Sequence, residues 1–155
     1  MCGFVGFTNF IGEKADRVLE DMMNKIVHRG PDSSGKFVNE DICLGFRRLS
    51  IIDLEGGSQP LYNEDGSMIL VFNGEIYNHR ELRNELIERG HIFKTRTDSE
   101  TLLHGFEEYG EELPSKLRGM FSFVIWDTKT KTLFGARDPF GIKPFYYAFM
   151  GKSML

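Results

Sequence analysis

The chain begins with the sequence MCGFVGF (residues 1–7), in which apolar residues and glycines follow a cysteine. This short apolar run predicts a β-strand at the N-terminus. Removal of Met1 would make Cys2 the first residue, so that its thiol and a free α-amine share one Cα. Cys2 is therefore either a small apolar residue that opens a strand or a nucleophile that carries its own general base.

Helix patterns occur at three places in the rest of the chain. Apolar residues within 15–27 recur at three- and four-residue steps and predict an amphipathic helix. Two more helices are predicted to begin at capping boxes, where Asn78 precedes Glu81 and Thr97 precedes Glu100 by three residues. The second of these boxes places an acidic residue in the first turn of its helix.

The remaining apolar segments predict short strands. The stretch HRGPDSSG (28–35) is rich in turn formers and predicts the end of the first helix. Strands joined by short links, with a few helices between them, indicate an α+β fold with antiparallel sheets. The predicted strands cover residues 2–7, 42–46, 49–53, 68–73, 120–127, 132–137 and 144–149.

The composition is that of a single-domain globular protein. The 155 residues carry a formal net charge of −4 without a basic tract, which argues against nucleic acid and anionic membranes as partners. No apolar stretch approaches the roughly 20 residues that span a bilayer. Two cysteines do not make a disulfide framework, so we expect a reduced, cytoplasmic protein. The four histidines lack the spacing of metal ligands, so no metal site is predicted.

The stretch FNGEIYNHRE (72–81) offers two donors that a tetrahedral oxyanion requires. Gly74 has an unshielded backbone N–H, and Asn73 has a side-chain NH₂. An Asn-Gly pair is also typical of a plain hairpin turn. Against the hairpin, Glu75 follows directly and a helix begins soon after, so no partner strand returns.

Three charged residues provide the groups that a charged substrate needs. Arg48 stands in FRRLSIID (46–53) between two apolar stretches, and a partly buried arginine is suited to bind a carboxylate. Glu75 and Asp98 stand next to predicted helix starts and could accept an ammonium group. Taken separately, Arg48 is explained as a member of an ion pair, and Glu75 and Asp98 are explained as acidic residues near helix N-termini. Taken together with Cys2, they describe a pocket for a free α-amino acid with a cleavable side chain.

Eight motifs in order resemble the N-terminal glutaminase domain of glutamine-hydrolysing asparagine synthetases. These proteins are class II glutamine amidotransferases with the N-terminal-nucleophile hydrolase fold. The resemblance covers essentially the whole chain, and its strength comes from the order and spacing of the motifs together. The motifs are MCGFVGF, HRGPDSSG, FRRLSIID, QPLYNEDG, VFNGEIYNHRELR, TRTDSETLLHGFEEYG, LRGMFSFVIWD and ARDPFGIKPFYY.

The resemblance implies a four-layer αββα sandwich that hydrolyses the side-chain amide of L-glutamine to glutamate and ammonia. It implies a Cys2 thioester, formed with the α-amine of Cys2 as base and with Asn73 and Gly74 as the oxyanion hole. Arg48 would bind the glutamine carboxylate, and Glu75 and Asp98 would hold its ammonium group. The stretch that lines the substrate would be Arg48, Leu49, Ser50, Ile51 and Ile52.

The resemblance also implies parts that lie outside these residues. Residues 1–155 would be a truncated amidotransferase domain, since the ending GKSML (151–155) is typical of a hairpin rather than of a terminus. A C-terminal synthetase domain would use ATP and Mg to activate aspartate, whereas the glutaminase half needs no cofactor. A homodimer is possible.

Three alternatives stay open at this stage. The ammonia could serve another acceptor, such as an amino sugar, a phosphoribosyl group or a natural product. The domain could be a regulatory relic that has lost turnover. It could also be another N-terminal-nucleophile hydrolase, acting on an amide such as a penicillin or a bile salt, and Arg48 would then have no role.

Overall fold

Two antiparallel sheets form the centre of the computed structural model, which describes residues 2–9, 14–49 and 58–155. The first sheet has the strand order β1-β3-β2 and the second has the order β4-β5-β6-β7. A separate hairpin, β8-β9, lies near the end of the chain. The strands are β1 (Gly3–Thr8), β2 (Ser33–Val38), β3 (Ile42–Arg48), β4 (Leu61–Tyr62), β5 (Met68–Ile76), β6 (Gly119–Asp127), β7 (Thr132–Arg137), β8 (Phe149–Met150) and β9 (Ser153–Met154).

Helices cover the outer face of each sheet. The first helix packs on the first sheet, and the third helix packs on the second sheet with the second and fourth helices beside it. None of the described helices is both long and apolar enough to cross a membrane. The helices are α1 (Ala15–Lys25), α2 (His79–Glu88), α3 (Asp98–Tyr109) and α4 (Leu113–Lys116), with 3₁₀ turns at Val27–Arg29 and Gly110–Glu112.

The alternation of side chains along β5 produces the layers. Leu70 and Phe72 pack with the helices on one face, whereas Ile69 and Val71 pack against the first sheet on the other. Because both faces of this strand are buried, it reads as a continuous apolar run rather than an alternating one. The order of layers is α1, first sheet, second sheet, then α2 to α4. The predicted α+β fold, a four-layer αββα sandwich, is confirmed.

The contact between α1 and the first sheet depends on a glycine. A Cβ on Gly45 of β3 would lie 2.6 Å from Cγ of Met23 and 3.2 Å from a methyl group of Leu19. The absence of a side chain at this position therefore lets the helix approach the sheet closely. Cys43 lies on the same face of β3 and is 1% exposed.

Some predicted boundaries are wrong, for local reasons. Residues 33–35 belong to β2 because its pairing with β3 outweighs the turn preference of Ser and Gly. Residues 144–148 are not in a strand, and only the end of the predicted segment 144–149 pairs: Phe149 lies in β8, and the backbone of Ala148 exchanges hydrogen bonds with Leu155. The predicted strand 49–53 lies mostly outside the described residues. The first helix ends at Lys25 rather than residue 27, because its last turn tightens into a 3₁₀ turn.

The two predicted capping boxes do not form as such. Asn78 precedes α2, but its side chain donates to the carbonyl of Lys116 and accepts from the N–H of Arg118. Thr97 does cap α3 by accepting from the N–H of Glu100. The Glu100 carboxylate, however, accepts from the N–H groups of Lys94 and Thr95 instead of reaching back to Thr97. Tertiary contacts therefore redirect the side chains of Asn78 and Glu100 away from their capping roles.

A buried carboxylate holds the turn after β7. Asp138 is 3% exposed, and its oxygens accept from the N–H groups of Phe121, Ile142 and Lys143. Burial by itself raises the pKa of Asp138, but these backbone hydrogen bonds outweigh burial and hold the pKa below its ordinary value of 3.8. The ionised carboxylate therefore ties this turn to β6.

We expect Asp138→Asn to lower the free energy of unfolding at neutral pH by about 1.5–3 kcal/mol, because hydrogen bonds to a charged acceptor are lost. The depressed pKa of Asp138 adds stability that is fully present above pH 3.8. This stability is lost as the pH falls through the lower pKa of the folded state. The difference between wild type and variant should therefore shrink in acid. Urea unfolding at neutral and acid pH measures it, with the exposed Asp21→Asn as control. Equal stability of Asp138→Asn and Asp21→Asn at neutral pH would contradict this role.

Candidate active site

The layer between the two sheets changes from apolar to polar at one end. On β5, Ile69 and Val71 pack between the sheets, and by alternation Asn73 and Glu75 continue on this face. Asn73 is 5% exposed. Arg48 ends β3 in the same way, after three apolar residues on that face, and is 9% exposed. These polar residues replace apolar ones where the layer ends, and they are the candidate site.

Cys2 lies just ahead of β1 at this end of the layer. Its side chain packs partly against the cluster between the sheets. Its Sγ accepts from the N–H of Leu49 at 3.5 Å and lies 3.8 Å from the Leu49 carbonyl oxygen. The structure therefore brings the predicted nucleophile together with one of the residues predicted to line the substrate. Ser50, Ile51 and Ile52, which were predicted to line it as well, lie outside the described residues.

Arg29 is a neighbour of the predicted nucleophile, and the sequence did not point to this residue. Its Nε donates to the Cys2 carbonyl at 3.2 Å, and its side chain lies 3.2 Å from where a Cβ on Gly3 would be. Its Nη2 is buried and has no hydrogen-bond partner among the described residues. The contact orients the backbone that carries the thiol. The turn-rich stretch around Arg29 contains no sequence pattern that predicts a contact with Cys2.

Within residues 2–9, 14–49 and 58–155, the backbone of β5 presents one unpaired donor beside Asn73. The N–H of Tyr77 donates to the Arg118 carbonyl at 2.7 Å, in continuation of the β5–β6 register. Because bonded and non-bonded pairs alternate in an antiparallel ladder, the Gly74 N–H has no partner in β6 and points to the opposite edge. A Cβ on Gly74 would lie 2.3 Å from the Met120 carbonyl oxygen. This position therefore takes only glycine, and its N–H is available to an oxyanion.

The two neighbouring N–H groups on this edge of β5 are occupied. The Phe72 N–H donates to Oε1 of Gln59 at 2.6 Å, and the Ile76 N–H donates to Oδ2 of Asp98 at 3.0 Å. The edge therefore presents three N–H groups in a row, and the middle one, on Gly74, has no partner among the described residues. Asp98 is thereby held next to that donor.

Gln59 is a second residue that sequence reasoning missed. Besides accepting from the Phe72 N–H, its Nε2 donates to the Phe72 carbonyl at 3.2 Å. Its own carbonyl oxygen lies 2.0 Å from where a Cβ on Gly35 of β2 would be. Gln59 thus contacts both sheets and fixes the residue immediately before Asn73. No pattern in the sequence marks a glutamine that replaces a strand partner.

The two acids differ in environment. Asp98 is half-buried at the first position of α3, whereas Glu75 is exposed at the end of β5. Burial raises the pKa of Asp98 above its ordinary 3.8 and the charge of Glu75 raises it further, while the hydrogen bond from the Ile76 N–H opposes both. Two carboxylates this close favour a cationic group between them.

A cavity of about 350 Å³ begins beside Asn73 and runs along β1. Its walls are mostly apolar, and they include Phe4, Val124 and Phe145. Ser122, which pairs directly with Asn73, also lines it, and its buried Oγ has no partner among the described residues. Cys2 does not line this cavity, so it is not the pocket that surrounds the thiol.

Cys43, the other cysteine, does not qualify as a nucleophile. It is buried between β3 and α1, and burial raises the pKa of its thiol. Both cysteines are free thiols.

A family model described as a glutamine amidotransferase domain matches residues 1–155. The chain belongs to this family. Among curated relatives, it is 54% identical over 151 residues to asparagine synthetase (glutamine-hydrolyzing) 1 of Bacillus subtilis (strain 168). It is 46% identical over 149 residues to asparagine synthetase (glutamine-hydrolyzing) of Zea mays. These matches cover 95% and 94% of this chain but only 24% and 25% of the relatives, so this chain spans about a quarter of their length.

Solved structures with the same fold are more distant in sequence. One is described as glutamine phosphoribosylpyrophosphate amidotransferase from B. subtilis complexed with ADP and GMP, with a TM-score of 0.79 at 22% identity. It is matched over 99% of this chain and 41% of that one. A second, described as the allosteric regulatory enzyme of purine biosynthesis, has the same TM-score at 23% identity. These likenesses confirm the predicted N-terminal-nucleophile fold.

We expect Gln59→Ala to lower the free energy of unfolding by about 1–3 kcal/mol, because the N–H and carbonyl of Phe72 both lose their partner. Gln59→Glu should recover part of this loss, since a carboxylate still accepts from the N–H. Urea unfolding measures the stability, and amide hydrogen exchange of residues 72–74 measures the local opening. Unchanged exchange in Gln59→Ala would show that Gln59 does not hold β5.

Proposed function

We propose that this chain hydrolyses the side-chain amide of L-glutamine to glutamate and ammonia through a thioester on Cys2. The observation that carries the proposal is the N–H of Gly74 beside Asn73, which no described residue accepts from, at the end of the layer where Cys2 lies. Membership of the glutamine amidotransferase domain family supports glutamine as the substrate.

The proposed reaction uses the N-terminus as its base. After removal of Met1, the α-amine of Cys2 has a pKa of about 7.7–8.0 and is partly neutral at cellular pH. It takes the thiol proton as sulfur attacks the side-chain carbonyl of glutamine. It then delivers this proton to the leaving nitrogen, which departs as ammonia when the C–N bond breaks. Water, deprotonated by the same amine, then attacks the thioester carbonyl. The C–S bond breaks, glutamate leaves, and the amine returns the proton to the Cys2 thiolate.

The negative charge on the carbonyl oxygen is the species that the site must stabilise. The Gly74 N–H and the Asn73 side-chain amide are the two proposed donors. Because Gln59 and Asp98 occupy the adjacent N–H groups of Phe72 and Ile76, the Gly74 donor is held in place before the substrate arrives. This preorganisation is what makes an oxyanion hole effective.

The polar groups around the thiol are suited to the head of a free amino acid. We propose that Arg48 binds the α-carboxylate and that Glu75 and Asp98 bind the α-ammonium group, with Leu49 to Ile52 alongside. Penicillin or bile-salt amides carry no such head group, so this recognition favours glutamine over them. A relic without turnover is disfavoured because each described site residue keeps a chemically competent side chain.

We further propose that the ammonia serves ATP-dependent synthesis of asparagine from aspartate in the full-length protein. Curated relatives at 40–54% identity are named asparagine synthetase (glutamine-hydrolyzing). ATP and Mg would belong to the part of that protein outside this domain, and the glutaminase half uses no cofactor. The similarity to amidotransferases with other acceptors is at most 23% in the structures compared. A cytoplasmic location and a homodimer stay predictions.

The test is intact-protein mass of the full-length protein with and without 6-diazo-5-oxonorleucine, a glutamine-like electrophile. We expect a chain that lacks Met1 and gains one adduct, mapped to Cys2. The buried Cys43→Ala is the matched control and should keep both the adduct and glutamate release, whereas Cys2→Ala should lose both. An adduct on Cys43, or full turnover by a chain that retains Met1, would overturn the proposal.

We expect Asp98→Asn to raise the KM for glutamine by roughly 10–150-fold, because about 1.5–3 kcal/mol of charged hydrogen bonding is lost. Stability at neutral pH should not fall. The raised pKa of Asp98 means that its ionised form lowers the stability of the folded state. This cost is absent below pH 3.8 and develops as the pH rises through that value. Asparagine removes this cost and still accepts from the Ile76 N–H.

Steady-state glutaminase kinetics and urea unfolding check this prediction together. The control is Glu81→Gln, which makes the same charge change at an exposed position on α2. An unchanged KM in Asp98→Asn would exclude Asp98 from binding the ammonium group. A large loss of stability would show that Asp98 is instead a structural cap.

A further inference from the structure

A second cluster of polar side chains lies at α3, apart from the proposed glutamine site. His91 follows α2, in the segment that leads to α3, and is half-buried. His104 and Glu107 stand one turn apart on α3, and the His104 side chain is 3% exposed. Sequence spacing predicted no metal site because twelve residues separate the two histidines. Folding nevertheless brings their rings to 5.2 Å between centroids.

The three side chains converge on one carboxylate oxygen. Oε2 of Glu107 lies 2.7 Å from Nδ1 of His104 and 3.8 Å from Nδ1 of His91. One ligand atom from each of the three residues lies within 4.8 Å of the others. In a tetrahedral zinc site with bonds of about 2.0–2.1 Å, ligand atoms are separated by roughly 3.3 Å. To enclose an ion, the 2.7 Å edge between Glu107 and His104 has to open by about 0.6 Å, and the longer edges have to contract toward roughly 3.3 Å.

A shell of partners surrounds the three candidate ligands. Nε2 of His91 lies 3.3 Å from Oε2 of Glu108, and Nε2 of His104 lies 3.8 Å from Oε1 of Glu64. Histidines that bind a metal with one ring nitrogen usually direct the other to a carboxylate or carbonyl, which fixes the tautomer. Both histidines here have that arrangement, and it is independent of the first three distances.

The remaining oxygen of Glu107 is also held. The buried Asn63 donates through Nδ2 to Oε1 of Glu107 at 2.8 Å, and its Oδ1 accepts from the N–H of Met68. Asn63 therefore orients the carboxylate from the loop between β4 and β5. This leaves Oε2 of Glu107 directed toward the two histidines.

The local charge favours a cation. Glu64, Glu107 and Glu108 all face the histidines, and Arg89 pairs with Glu108 at 2.6 Å on the outer side. Glu100 lies 3.9 Å from Nε2 of His104, but its oxygens already accept from backbone N–H groups. The carboxylates outnumber the arginine that neutralises them, so a divalent ion would lower the electrostatic repulsion.

We propose that His91, His104 and Glu107 bind a divalent transition-metal ion of the Zn²⁺ type, with water in the fourth position. Two imidazoles and one carboxylate are a donor set that suits zinc rather than magnesium or calcium, which prefer oxygen ligands. The ion would link the segment before α3 to the helix itself. Since Asp98 begins α3, the site would brace the helix that presents this acid. The inference does not rest on glutamine hydrolysis.

The test is calorimetric titration of Zn²⁺ into the full-length protein after removal of metals with a chelator. A Cys2→Ser background excludes binding by the partly buried thiol of Cys2. We expect His91→Ala and Glu107→Gln each to weaken one binding event by more than about 100-fold, since loss of outer-shell partners alone costs 10–100-fold. Glu108→Gln, which removes an outer-shell partner of His91, should weaken Zn²⁺ binding by about 10–100-fold. The matched control Glu111→Gln, at an exposed position just after α3, should change nothing.

Cobalt(II) provides a second readout, because its visible absorption distinguishes tetrahedral from octahedral coordination. We expect a tetrahedral spectrum that His91→Ala abolishes. Unfolding curves recorded in chelator show whether each variant remains folded, and His91→Ala, which lies outside the helices, serves if Glu107→Gln does not fold. Equal Zn²⁺ affinity in the starting protein, His91→Ala and Glu107→Gln would overturn the proposal. An octahedral cobalt spectrum, unchanged by His91→Ala, would also overturn it.

Discussion

The pairing of β5 with β6 is the constraint on which the rest of the structure depends. This register decides which side chains of β5 enter the layer between the sheets and which N–H groups face the open edge. Asn73 and Glu75 enter that layer, while Gly74 presents its N–H at the edge. A shift by one residue would exchange these two sets and turn Asn73 away from the thiol. The pairing of nine residues on each strand thus stabilises the fold and aligns the candidate site at once.

The edge of β5 shows how structural and functional contacts share one strand. Gln59 and Asp98 each accept one N–H from it, and in the described part of the chain the Gly74 N–H between them has no partner. Asp98 also carries a cost, because burial and the charge of Glu75 raise its pKa. A carboxylate kept there at the expense of stability is what a binding group for a cation requires. The same helix holds the proposed metal site one to three turns further along, so α3 would be fixed at both of its ends.

Much of the site could be predicted from local sequence. The thiol of Cys2, the donors of Asn73 and Gly74, and the acid at Asp98 each stand in a short stretch whose residue types point to one kind of chemistry. Arg29, Gln59 and Ser122 were missed because their importance lies in what they touch, and their partners are 27, 13 and 49 positions away in the chain. The histidine cluster was missed for the same reason, since its ligands come from two segments.

The sequence by itself determined the class of fold and indicated Cys2, Asn73 and Gly74 as the candidate nucleophile and donors, because apolar periodicity and residue chemistry are local properties. It could not determine that β2 forms from a turn-rich stretch, that Asn78 bonds to the chain near Arg118 instead of capping α2, or that Glu100 serves Lys94 and Thr95. Those outcomes depend on which distant backbone groups need a partner once the sheets have paired. Only the tertiary structure decides that competition.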